Sequence, residues 1–218
     1  MNITPTILTS SYEDVINKLF IFEGLSDRVQ IDLCDGVFGL EKTWLPFEEE
    51  SLPFGFSYEF DLMVNDWEKY MLRAIALGST RLVMHIDTMS DADIDEVITI
   101  AKKNDSYIGL SVSNDYPVET FALRINNVAA RYSKVFIQTM GIKHIGAQGQ
   151  PFDEEVLTRI NYLVNACKHI EIQVDGSMNP ETILKVKNAG ATCAVVGSYL
   201  FKQGDPKKTY EDLVKNYR

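Results

Sequence analysis

The sequence predicts an α/β protein, a single (β/α)8 TIM barrel spanning residues 1–218. Three observations point there. Short β-branched runs alternate with longer amphipathic segments along the whole chain, the pattern of parallel βαβ units. Eight such units of about 25 residues fit a compact barrel near the short end of its size range. Two late apolar runs, Val174-Asp175-Gly176-Ser177 and Val196-Gly197-Ser198, stop abruptly at Gly and Ser, as neighbouring barrel strands do where their ends surround a phosphate. A doubly wound open sheet shares the local pattern. It usually has fewer strands and a Gly-rich loop after the first one, whereas the first turn here, Leu8-Thr9-Ser10-Ser11, has no Gly.

The elements follow in order. Ile3 to Leu8 is the first strand, and Tyr12 to Phe22 has helical spacing between a Ser11 cap and a Gly24 stop. Arg28 to Leu33 and Tyr58 to Val64 are the second and third strands, the latter followed by a helix from Asp66 to Leu77 that ends at Gly78. Arg81 to Ile86, Tyr107 to Val112 and Val135 to Thr139 are the next three. Helices fall near Asp91 to Lys103, Pro117 to Arg131 and Asp153 to Cys167, Pro117 being a good first-turn residue. Ile170 to Asp175 and Cys193 to Val196 complete the strands, with helices from Pro180 to Ala189 and from Asp205 to Asn216. Two connections are long: Cys34 to Pro53, and the Gly-rich Met140 to Pro151. Long structured loops in a compact domain are usually functional, and both leave strand C-terminal ends, where barrel active sites are built.

Composition narrows the function. A formal net charge of -10 disfavours nucleic acid and anionic membranes as partners, while leaving room for a small anionic substrate held by local backbone dipoles. Cys34, Cys167 and Cys193 form no CxxC pair and fit a reducing compartment. There is no signal peptide pattern and no apolar run near the roughly 20 residues of a membrane span. A soluble cytoplasmic protein is expected; its oligomeric state, a homo-oligomer included, is left open.

The strand ends carry the chemistry. Gln30 with Asp32, Glu59 with Asp61, His85 with Asp87, and Gln173 with Asp175 are i, i+2 pairs that share a face, and Thr6, Ser111 and Gln138 end other strands. Polar strand ends are common where strands meet solvent, so the argument rests on Asp32, Asp61 and Asp175 together. Three convergent carboxylates need protonation or a cation, and an oxygen-rich site suits Mg²⁺ or Mn²⁺ better than zinc. Two carboxylates on opposite faces of a substrate could also serve as base and acid, which inversion at a carbon beside a carbonyl requires. One Gly-Ser pair reads as an ordinary capped turn; two on neighbouring strands favour a phosphate. Lys143 and His144, in the sixth loop, are candidates to cover a substrate. His169 and the cysteines read as structural.

Taken in order, these pieces resemble the ribulose-phosphate 3-epimerase family over essentially the whole chain. Pro5-Thr6-Ile7-Leu8 is similar to its first strand, with Thr6 where Ser is usual, and Gln30-Ile31-Asp32-Leu33-Cys34-Asp35-Gly36-Val37-Phe38 to its second-strand signature. Asp61-Leu62-Met63-Val64, Gly149-Gln150-Pro151-Phe152, Val174-Asp175-Gly176-Ser177 and Val196-Gly197-Ser198 resemble later motifs. The resemblance implies epimerisation at C3 of a ketose phosphate through an enediolate, with Asp32 and Asp175 as the acid/base pair. It implies a divalent metal at the positions of Gln30, Asp32, Asp61 and Asp175. It places phosphate on Gly149, Gly176, Ser177, Gly197 and Ser198, with Thr6, Met63, His85, Gln138 and Lys143 lining the substrate. The chain departs from the family where Gln30 and Asp61 occupy its two histidine positions. Gln138 stands for its usual Met, and the sixth loop is longer and lacks its Pro-Gly-Phe. Two rival readings are a phosphosugar decarboxylase or aldolase, in which Met63 stands where such barrels resemble an Asp-x-Lys-x-x-Asp pattern, and a non-catalytic sugar-phosphate binder that has lost the metal.

Overall fold

The computed structural model describes residues 1–37, 42–143, 145 and 149–217. The chain runs β1 (Asn2–Ile7), α1 (Tyr12–Phe22), β2 (Arg28–Cys34), β3 (Ser57–Met63), α2 (Trp67–Ala76), β4 (Ser79–His85), α3 (Asp91–Asn104), β5 (Tyr107–Val112), α4 (Val118–Ala129), β6 (Val135–Met140), α5 (Glu155–Ala166), β7 (Glu171–Asp175), α6 (Pro180–Ala189), β8 (Cys193–Val196), α7 (Ser198–Lys202) and α8 (Pro206–Tyr217). Every strand pairs in parallel with the next, and β8 pairs back onto β1, closing the expected (β/α)8 barrel. No helix among the described residues is long and apolar enough to cross a membrane.

Local sequence explains most boundaries. The Ser11 side chain accepts the Asp14 N–H at the start of α1, and Ser90 with Asp93 forms a reciprocal capping box on α3. Asn179 caps α6 ahead of Pro180, and Gly190 closes it at φ 108°, a left-handed conformation that glycine adopts without a Cβ clash. The short α7 was not anticipated. Its five residues are too few to show a helical period, and Gly197 and Gly204 on either side read as loop.

The strands separate two environments. Outward side chains such as Ile31, Phe60, Leu82, Leu110 and Ile172 join Leu19, Met71, Val97, Phe121, Ile160 and Ile183 of the helices in one apolar layer. Inward positions are far more polar than the branched aliphatic filling usual in such barrels: Gln30, Asp32, Glu59, Asp61, Arg81, His85, Ser111, Gln138 and Gln173 are all buried. The only way to keep so many polar groups from water is to pair them with one another.

Lower in the lumen, the Arg81 guanidinium lies 3.8 Å from the centre of the Phe136 ring, and that ring occupies the space left by Gly109. A Cβ on Gly109 would meet Phe136 Cζ at 2.4 Å. Gly109→Ala is therefore expected to destabilise the fold by about 1–3 kcal/mol through overpacking, seen as a lower urea midpoint. Adding Phe136→Leu should recover part of the loss.

Candidate active site

The cleft opens at the C-terminal ends of the strands and is lined by Thr6, Leu8, Asp32, Met63, Met140, Ile142, Gly149, Asp175, Gly176, Ser177, Met178, Val195, Gly197 and Ser198. The residues expected at the acid/base and phosphate positions thus meet in one place. Asp32 and Asp175 come from β2 and β7, which are separated in the ring by β1 and β8, so the two carboxyls approach the cleft from different sides.

Asp32 is fixed by local contacts. The Thr6 hydroxyl donates to its Oδ1 at 2.8 Å and Gln30 Nε2 donates to the same oxygen at 2.9 Å. The latter bond is the i, i+2 geometry read from the sequence. Its backbone is clasped from the long second connection, where the Thr43 hydroxyl donates to the Asp32 carbonyl and accepts the Cys34 N–H, each at 2.8 Å. No described residue of that connection after Cys34 lines the cleft, so its described part acts as a clamp on β2.

The Gly-Ser turns owe their shape to close backbone approaches. Gly176 has φ 104° and Ser177 has φ 54°, both left-handed, and the Ser177 hydroxyl donates to the Gln150 carbonyl. The Gly141 N–H donates to the Asp175 carbonyl at 2.6 Å, and a Cβ on Gly141 would lie 2.2 Å from the Gly176 carbonyl oxygen. At the end of the neighbouring β8, a Cβ on Gly197 would meet Thr6 Cγ2 at 2.9 Å. Asn114 ties the base of the sixth loop together, its Nδ2 donating to the Met140 carbonyl and to Asp153 Oδ2, both at 2.9 Å.

Burial sets the electrostatics. Loss of water around Asp32, reinforced by the charge of Asp61, pushes its carboxyl up to about 7, against the pull of the Gln30 and Thr6 hydrogen bonds. Burial, then the charges of Asp32 and Asp61, hold Asp175 well above the ordinary carboxylate range. Burial alone would lower the His85 imidazole, but the charge and hydrogen bond of Asp61 outweigh it and leave it raised.

The remaining expected residues fall elsewhere. Gln30, Asp61, His85 and Gln138 are buried and are not among the residues that line the cleft. Lys143 is exposed and outside the lining, and His144 lies outside the described residues. Asp87 does not accompany His85 into the lumen network: its carboxylate accepts Ser113 N–H at 2.9 Å and the Ser113 hydroxyl at 2.7 Å. All three cysteines are buried and unbridged.

A model of the ribulose-phosphate 3 epimerase family matches residues 2–201. The chain belongs to the ribulose-phosphate 3-epimerase family. It is similar to the cytoplasmic isoform of ribulose-phosphate 3-epimerase from Oryza sativa subsp. japonica, with 27% identity covering 98% of this chain and 93% of the relative. It is also similar to the ribulose-phosphate 3-epimerase of Bacillus subtilis, with 26% identity covering 98% of each. Among solved structures it resembles a 3-hexulose-6-phosphate synthase, with a TM-score of 0.69, 16% identity and 98% of both chains covered. It also resembles the orotidine 5'-monophosphate decarboxylase of Sulfolobus solfataricus, with a TM-score of 0.64, 14% identity, and 99% and 97% covered. At these identities the structural likeness speaks to the fold.

The divalent ion implied by the family resemblance, expected as Mg²⁺ or Mn²⁺ on Asp32, Asp61, Asp175 and Gln30, does not fit this donor set. Gln30 directs its amide nitrogen, a donor with no lone pair to give, at Asp32. Both oxygens of Asp61 are taken, Oδ1 lying 2.7 Å from His85 Nε2 and Oδ2 accepting from Gln138 Nε2 at 2.7 Å. Among the described residues no group of three or more His, Cys, Asp or Glu is arranged to hold a metal ion. The expected shell is thus replaced by hydrogen bonds between its own members and their neighbours.

The sequence reading missed the support beneath the site. Arg81 donates to Glu59 Oε2 at 2.5 Å and to Glu171 Oε1 at 2.9 Å, and Gln173 Nε2 lies 2.6 Å from Glu59 Oε1. The available signal was the placement of Arg81 inside an apolar strand run, since a buried guanidinium demands a buried carboxylate.

Proposed function

We propose that this chain inverts C3 of a ketose phosphate, with D-ribulose 5-phosphate and D-xylulose 5-phosphate as the first pair to test. One observation carries the reading: Asp32 and Asp175 enter one cleft from separate strands, in surroundings too dry for both to ionise readily at neutral pH. A pair holding one proton between them is the state that inversion needs. The ionised member takes the C3 proton on one face, the C3–H electrons flow into the C2 carbonyl as an enediolate, and the protonated member delivers a proton to C3 from the other face. Membership of the family supports the reaction class. The backbone around Gly176, Ser177, Gly197 and Ser198, with Gly149 beside it, is assigned to the phosphate, and Thr6 and Met63 to the sugar. Met63 cannot supply the cationic head that a lysine would offer a departing carboxylate, which favours epimerisation over decarboxylation.

The assay is conversion of ribulose 5-phosphate to xylulose 5-phosphate by the purified protein. Failure to turn over these or any hexulose phosphate would overturn the reading. A pH profile adds a second check. Burial pushes Asp32 up to about 7 and holds Asp175 well above the ordinary carboxylate range, so the pair keeps both protons at low pH and gives one up as the pH rises toward neutrality. The expected profile of kcat/KM therefore rises through neutrality. A plateau reaching unchanged down to pH 5 would contradict the assignment.

A further inference from the structure

We infer that a directed chain of glutamine amides, running from Arg81 up to Asp32 and Asp61, does in this barrel what a divalent ion would do, so that the centre binds no such ion and works without one. The inference rests on the proposed reaction for its catalytic half and on the bonding pattern alone for its metal half.

The direction of the chain is set from below. Arg81, buried, places a fixed positive charge on Glu59, whose side chain has no exposure. Glu59 Oε1 then accepts from Gln173 Nε2 at 2.6 Å. An acceptor-only carboxylate at that distance allows only the amide nitrogen of Gln173 to face it. The same nitrogen lies 2.8 Å from Gln138 Oε1 and 3.2 Å from Gln30 Oε1. Those two amides must in turn point their nitrogens away from Gln173. Gln30 Nε2 reaches Asp32 and Gln138 Nε2 reaches Asp61. Reversing Gln30 or Gln138 alone would set oxygen against a carboxylate oxygen at one end and nitrogen against nitrogen at the other, and reversing Gln173 would set its oxygen against Glu59 and both amide oxygens.

The orientation is kept at a cost. Gln173 Oε1 is buried without a hydrogen-bond partner. A buried amide oxygen left unpaired costs about 1–3 kcal/mol. Turning the amide to satisfy it would place that oxygen against Glu59. The arrangement is therefore dictated by the Arg81–Glu59 pair and by the need for N–H donors at the top.

Two consequences follow for the site. A metal-ligating glutamine offers Oε1, but in Gln30 that oxygen is committed to Gln173, and its nitrogen occupies Asp32 Oδ1 together with the Thr6 hydroxyl. Asp61 receives a Gln138 N–H and the His85 ring, so its charge is compensated within the protein. Gln30, Gln138 and Gln173 are positioning residues: they hold the carboxylates that meet substrate or flank those that do.

The test uses the full-length protein after chelator treatment and buffer exchange. Mn²⁺ is added and followed by electron paramagnetic resonance, and epimerisation is measured in parallel with and without chelator. The expected result is no stoichiometric Mn²⁺ binding and turnover unchanged by chelator. Stoichiometric Mn²⁺ binding, or turnover lost to chelator and restored by Mn²⁺, overturns the inference. If no turnover is found under any condition, the proposed reaction fails, and the Mn²⁺ measurement alone still decides the metal half. Gln173→Met provides the second arm. It should lower kcat by on the order of 10²-fold per folded molecule with little change in KM, because the carboxylate geometry is lost while the phosphate turns remain. An unchanged kcat per folded molecule would overturn the positioning role, and if this variant does not fold, Gln138→Met is read in the same way.

Discussion

Asp175→Asn is expected to lower kcat for C3 epimerisation by about 10²- to 10⁴-fold, with binding of the sugar phosphate retained. The amide is nearly isosteric with the carboxyl, so the turn that follows it should persist, including the Gly141 N–H bond to the Asp175 carbonyl. What is removed is the proton carrier on one face of the enediolate. Asp32→Asn should cost a similar factor for the other face, and the double variant should fall little below either single one, because the two groups act as a unit. The check is steady-state kinetics beside direct titration with the substrate or its competitive analogue. Retention of near-normal kcat by either single variant would remove the acid/base pair from the account.

Asp32→Asn carries an opposite effect on stability. Its carboxyl is raised to about 7 in the folded protein from a reference of 3.8, so the folded state holds a proton that the unfolded chain has already lost. Stability therefore falls as pH rises through that interval, and above neutrality the folded protein bears the full cost of a buried charge. Asn bears none and can still accept from Thr6 and Gln30. At pH 8 this variant is expected to be more stable than the parent, on the order of 1–3 kcal/mol, with the difference vanishing near pH 4. A catalytic group that destabilises its own fold is the pattern of a functional site.

Arg81→Met is the second large effect. It leaves Glu59 buried with its strongest partner gone, and removing one member of such a pair costs about 3–5 kcal/mol. Glu171, the second acceptor of Arg81, also loses a contact, while its longer 3.5 Å approach to Arg28 remains. Chemical denaturation gives the loss directly. Adding Glu59→Gln should recover part of it by removing the stranded charge. Activity should not return with stability, because Gln173 would no longer be forced to direct its nitrogen upward. Recovery of both together would mean that the ion pair serves the fold alone.

The barrel was legible because its signal is local and repeated. Each strand announces itself by β-branched residues, each helix by spacing and caps, and the order of strands follows chain order. Asp32, Asp175 and the two Gly-Ser turns were legible because each ends a strand on the face where barrel sites are built. The grouping of Gln30 with Asp32 followed from the two-residue period. Partners across the lumen were not legible. Gln173 meets Gln30 and Glu59 across 143 and 114 positions of sequence, and no periodicity ranks such contacts. Asp61 shows the limit well. Its place on the inward face was readable, but its partner His85 stands two residues beyond Val83, the residue that Asp61 faces in the β3–β4 register. The contact of Asp61 with His85 on the neighbouring strand is therefore not readable from the two-residue period. The short α7 escaped for the opposite reason, having too few residues for any period to show.

The most direct test of the central claim is incorporation of solvent deuterium at C3. Ribulose 5-phosphate incubated with the protein in D₂O should exchange its C3 hydrogen and yield xylulose 5-phosphate labelled at the same carbon, and Asp175→Asn should suppress that labelling. A ketose phosphate that binds in the cleft and is recovered without deuterium at C3 would contradict proton transfer by Asp32 and Asp175.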